Sequence, residues 1–61
     1  MNLTIGKDII LKGDVNATIN RIVPHIKNDP LGLGETVYEL TLQGGYEIYI
    51  GEKRLIKSIL S

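Results

Sequence analysis

The chain has 61 residues, seven Lys and Arg against seven Asp and Glu, one His, no Cys, and neither Trp nor Phe. This length allows one domain, 1–61, and an apolar share of 43% excludes a charge-rich disordered tail. The absence of cysteine excludes disulfides, thiolate chemistry and cysteine–zinc sites, and zero net charge argues against a dedicated binder of phosphate backbones.

No apolar run approaches the ~20 residues that span a bilayer, so no membrane role is expected. The opening Met1-Asn2-Leu3-Thr4 lacks the basic segment and long apolar stretch of a secretion signal, which makes the cytoplasm the expected location. Stability is the tighter constraint. A domain of this size buries only ~60% of its unfolded surface, and one core of this kind rarely supplies more than about 3–5 kcal/mol. Ile and Leu dominate the apolar set, with three Tyr as the only aromatics. Without disulfides, and with His25 as the only good neutral metal ligand, the expected reinforcement is self-association, most simply a two-fold dimer.

Residues 3–13 read as extended structure, because β-branched residues flank the turn signal Gly6-Lys7-Asp8. Two short strands in a hairpin are expected, with a single bent edge strand as the alternative. Asp14 then resembles a helix cap, preceding a stripe of Val15, Ile19, Ile22, Val23 and Ile26 at helical spacing. The spacing predicts an amphipathic helix over roughly 14–23, kinked or restarted at Pro24. Residues 28–34 form a loop by composition.

The segment from Thr36 to Gln43 alternates, as do Tyr46, Ile48 and Ile50 beyond Gly44-Gly45. Parity sets the hairpin register. A two-residue loop mixes the faces, whereas the three-residue loop Gln43-Gly44-Gly45 pairs Leu42 with Tyr46, Leu40 with Ile48 and Tyr38 with Ile50 on one apolar face. In the tail, Leu55, Ile56, Ile59 and Leu60 lie at helical spacing, favouring a short C-terminal helix over a third meander strand. The expected fold is a small α+β domain. It has an antiparallel sheet of N-terminal and C-terminal hairpins, covered on one face by the amphipathic helix.

Motifs for chemistry are sparse. His25 is the only side chain that titrates near neutrality without perturbation. It has no neighbouring nucleophile in sequence, and the bland reading is a solvent-facing ring after Pro24. Leu31-Gly32-Leu33-Gly34 lacks the fuller phosphate-binding pattern, and a strand rather than a helix follows it. Asn2-Leu3-Thr4 and Asn16-Ala17-Thr18 match the glycosylation acceptor by chance, Asn16 being better placed in a first helical turn. Asp8, Asp14 and Asp29 lack calcium-loop spacing. No cofactor, metal site or catalytic residue is expected.

Charge distribution is more informative. Glu35, Glu39, Glu47 and Glu52 occur without an intervening Lys or Arg, and Lys53, Arg54 and Lys57 follow. The hairpin face away from the apolar side carries Val37, Glu39, Thr41, Glu47 and Tyr49. A Tyr body beside two carboxylates suits a basic protein surface, although alternation alone also makes such a face polar. The expectation is a non-enzymatic module that self-associates and binds another protein, of the sort phages and other mobile elements use as accessory or inhibitor proteins. The alternative is a small dimeric nucleic-acid-binding regulator using Lys53, Arg54 and Lys57. The acidic hairpin beside those cations disfavours it.

Overall fold

Alternating side chains and short glycine-containing turns organise the chain as a meander. The computed structural model describes residues 3–24 and 34–60. Strands β1 (Asp8–Leu11), β2 (Val15–Val23), β3 (Val37–Leu42) and β4 (Glu47–Gly51) form a sheet in the order β1-β2-β3-β4, with all neighbours antiparallel. Helix α1 (Glu52–Ser58) follows β4 without a break. Among the described residues the protein is thus a small α+β fold with one four-stranded sheet and one helix.

The segment expected as an amphipathic helix is strand β2. Val15, Ala17 and Ile19 alternate toward the core with strand periodicity. The pairing then shifts, Ile19 standing opposite Leu40 but Arg21 opposite Glu39, so Asn20 is the extra residue of a β-bulge. The bulge returns Ile22, opposite Tyr38, to the core side. Core positions 15, 19 and 22 therefore carry helical spacing through an interrupted period of two. Val23 belongs to the other face, opposite Val37, and both are buried outside the main core. Pro24 marks the end of β2 rather than a helix kink. The remaining member of the stripe, Ile26, and the loop expected at 28–34, apart from Gly34, lie outside the described residues.

Asp14 is not a helix cap. With Lys12 and Gly13 it forms the loop between β1 and β2, Leu11 facing Val15, and it has a positive φ of 59°. Asp tolerates that left-handed conformation through its short polar side chain, a property overlapping with those that favour it at caps. The first hairpin is accordingly β1–β2, not one turning at Gly6–Asp8. Before β1 the backbone turns, Lys7 N–H donating to Thr4 C=O (3.1 Å) and Gly6 N–H to Ile19 C=O (2.7 Å).

The second hairpin has the register that parity required. Leu40 faces Ile48, Tyr38 faces Ile50, and Leu42 N–H donates to Tyr46 C=O (2.6 Å) across Gln43-Gly44-Gly45. Gly44 and Gly45 both have positive φ (94° and 88°), and a Cβ on Gly44 would also press on the Tyr46 ring at 3.2 Å.

The core joins Ile9, Leu11, Ala17, Ile19, Tyr38, Leu40 and Ile50 of the sheet to Leu55 and Ile59. Glu35 Oε1 accepts the Lys53 N–H (2.8 Å) at the start of α1, where Gly51 offers no side-chain cap. The helix ends at Ser58. Ile59 is extended and forms a bridge with Leu11, while Ile56 and Leu60 face solvent. Half of the apolar tail stripe is therefore core and half is surface.

If Asn20 is only the inserted bulge residue, its deletion leaves the faces of β2 in phase. The deleted protein is expected to fold cooperatively and to lose about 1–2 kcal/mol with the Asn20 side-chain bond and local twist. Deleting Ala17 should instead invert a strand segment and unfold the chain. Denaturant titrations of the two variants measure the difference.

Candidate functional site

The hairpin β3–β4 aligns most of the candidate protein-binding residues. Glu39 lies opposite Tyr49, and Thr41 opposite Glu47, on the face away from the core. Tyr49 and Glu47 are exposed, while Glu39 and Thr41 are half-buried. Val37, opposite Gly51, is 0% exposed and thus offers no contact surface. Strand alternation placed Val37 correctly on this face but did not show that its end of the face is covered. The accessible candidates are Glu39, Thr41, Glu47 and Tyr49.

The acidity of the hairpin is largely spent within the fold. Glu35 holds the first turn of α1, and Glu52 Oε2 accepts the Tyr38 hydroxyl at 2.9 Å. Glu39 faces Arg21 of β2 across the sheet. With residues 14–23 read as a helix, that cation had no place beside the hairpin. Only Glu47 remains as an exposed acid on β4.

Toward β1 the same face is polar and internally bonded. Thr18 Oγ1 donates to Asp8 Oδ1 (2.7 Å), and Asn20 Nδ2 donates to Thr41 Oγ1. Asn16 is exposed on β2 rather than in a helix, and its C=O accepts the Gln43 N–H (2.8 Å). Asp8, Asn16, Thr18, Thr41 and Gln43 line an open depression of about 550 Å³. Its polar groups are the Asp8 carboxylate, the Thr18 and Thr41 hydroxyls and the Asn16 and Gln43 amides. Among the described residues no group of three His, Cys, Asp or Glu side chains is placed to hold a metal ion. His25 and the Gly-x-Gly segment before Gly34 lie outside the described residues.

Lys53, Arg54 and Lys57, the candidate nucleic-acid contacts, are all exposed on α1. They come together because residues three and four apart share a helix flank. No described helix is long and apolar enough to cross a membrane.

Sequence reasoning missed two exposed residues. Tyr46 and Ile48 belong to the apolar side of the hairpin, yet they are 72% and 36% exposed. Alternation gave no signal separating them from the buried Tyr38, Leu40 and Ile50 of the same side. No protein-family model matches the chain, and comparisons with curated proteins and with solved structures also give no match.

The burial of the Tyr38 hydroxyl, reinforced by its contact with Glu52, makes stability depend on pH. Burial, then the hydrogen bond to Glu52 and its negative charge, push the Tyr38 hydroxyl from 10.0 up to about 12. The unfolded chain loses this proton first as pH rises. The stabilisation is complete below pH 10 and disappears as pH passes through about 12. Melts of the wild type against Tyr38→Phe should therefore show an additional wild-type loss on the order of 2–3 kcal/mol over that interval. Parallel pH curves for the two proteins would remove this assignment.

Proposed function

We propose that the chain is a non-enzymatic protein-interaction module that self-associates, most simply as a dimer, and presents the Glu39–Tyr49 side of its second hairpin to another protein. The observation that carries the self-association is the run Tyr46-Glu47-Ile48-Tyr49. All four residues are exposed, and three of them bring large apolar bodies to solvent at one margin of the sheet. A chain this small, with a mainly aliphatic core and no covalent staple, gains the most from burying such a margin.

Tyr49 gives the neighbouring face a rigid contact body, and Glu47, with no ion pair among the described residues, gives it a negative charge. The fitting second partner is a protein surface with a cationic rim and an apolar centre. Glu39 contributes less to this complementarity because Arg21 stands opposite it.

One observation favours a nucleic-acid reading. Among the described residues Lys53, Arg54 and Lys57 form no ion pair, so their charge is available. A phosphate partner would bind with steep salt dependence, and replacing all three by Gln would abolish that binding. The protein-binding reading expects no such salt-sensitive complex with short DNA or RNA.

Light scattering between micromolar and nanomolar concentrations tests self-association. The expected mass is a multiple of 6.8 kDa at the upper end, with a melting temperature that falls on dilution. A mass of 6.8 kDa throughout, with an unchanging melting temperature, refutes the reading.

A further inference from the structure

We propose that two copies of this chain pair through the outer edges of their β4 strands, antiparallel about a two-fold axis at Ile48. This extends the sheet continuously across both copies. The inference rests on the self-association proposed above and assigns its surface and register.

The two margins of the sheet are unequal. The Ile10–Lys12 end of the outer edge of β1 is occupied by the chain's own tail. Lys12 N–H donates to Ser58 C=O (2.7 Å), Leu60 N–H donates to Ile10 C=O (2.8 Å), and Ile59 forms the bridge with Leu11. No described residue pairs with the outer edge of β4. An open strand edge is a template for another chain. Of the devices that normally blunt one, β4 carries a single charge, Glu47, and has no Lys, no Pro and no bulge.

Backbone parity shows which groups are available. The bonds from Leu42 N–H to Tyr46 C=O and from Glu52 N–H to Thr36 C=O (2.9 Å) set the even-numbered residues of this segment as those bonded to β3. Glu47 and Tyr49 consequently turn both their N–H and C=O outward. Their side chains lie on the face away from the core, whereas Tyr46 and Ile48 lie on the core side.

Charge and burial then select the register. Centring the pair on Glu47 sets two carboxylates directly opposite one another, which is destabilising. Centring it on Tyr49 requires the buried Gly51 as an edge partner and places Glu52, already bonded to Tyr38, opposite Tyr46. Centring it on Ile48 avoids both problems. Ile48 then meets its own copy, Tyr46 meets Ile50 of the second copy, and Glu47 meets Tyr49. Each Glu47–Tyr49 pair exchanges two backbone hydrogen bonds. The apolar contacts join on the core side, and the Tyr–carboxylate contacts join on the other.

Site-specific cross-linking tests this arrangement, and the natural absence of cysteine makes it clean. Ile48 and its copy form a non-hydrogen-bonded pair, with Cα atoms about 4.5 Å apart, inside the range a disulfide spans. Under mild oxidation Ile48→Cys is expected to give about tenfold more disulfide-linked dimer than Ile10→Cys, an exposed site on β1. Ile48→Lys places two cations at the axis and should raise the dissociation constant at least about tenfold while circular dichroism reports an unchanged fold. A dimeric wild type whose Ile48→Cys variant links no better than Ile10→Cys overturns the β4 assignment and leaves self-association standing. A wild type monomeric at all concentrations overturns both. Should Ile48→Lys fail to fold, the cysteine pair decides.

Discussion

Among the described residues, a seven-residue helix packs Leu55 against the apolar side of a four-stranded sheet. Neighbouring strands stand ~4.8 Å apart, so the sheet is wider than the ~10 Å length of such a helix, whose side chains extend to a diameter of about 10–12 Å. The mismatch orders the rest of the structure. Leu55, fully buried, is the helix residue at the centre of the core, and Ile59 continues that core to Leu11 on β1. The margin left over lies at the start of β4, where Tyr46, just before the strand, is 72% exposed and Ile48 36% exposed.

The helix is held by contacts from outside itself. It has no side-chain cap and is too short to be stable in isolation. Glu35 supplies an acceptor to its first turn, and Thr36 C=O accepts the Glu52 N–H. The same Glu52 receives the Tyr38 hydroxyl from the sheet. At the other end Ser58 and Leu60 enter the backbone ladder of β1. A carboxylate at the N-terminus also meets the favourable end of the helix dipole. Acidic residues that resemble a binding surface in the sequence thus have a prior structural task.

Legibility varied along the chain for identifiable reasons. The β3–β4 register followed from alternation and the diglycine because only one loop length kept Leu40, Ile48, Tyr38 and Ile50 on one side. Strand β2 was misread because a bulge at Asn20 converts a spacing of two into one resembling helix. No residue type announces such a bulge, since Asn is common in loops, caps and strand irregularities alike. Asp14 reinforced the error because caps and left-handed turns favour overlapping chemistry. Of the candidate surface, pairing was legible and accessibility was not. Val37 is enclosed and Tyr49 is open although both alternate in the same phase.

These assignments change what the charge pattern means. As a linear sequence, Glu35 to Glu52 contains acids alone, which points to a hairpin that would repel phosphate and attract cations. In the fold, Arg21 enters that hairpin's polar face from β2, and two of the four acids are engaged at α1. Glu47 is left as the exposed acid, beside Tyr49 and Ile48 at the open edge. As the proposed contact, a surface with one charge and three large apolar bodies would be specified more by shape and backbone pairing than by electrostatic attraction. Its single acid still matters, because like charges meeting across an edge exclude one register and so favour another. In the edge pairing proposed above, Glu47 therefore acts on register more than on affinity.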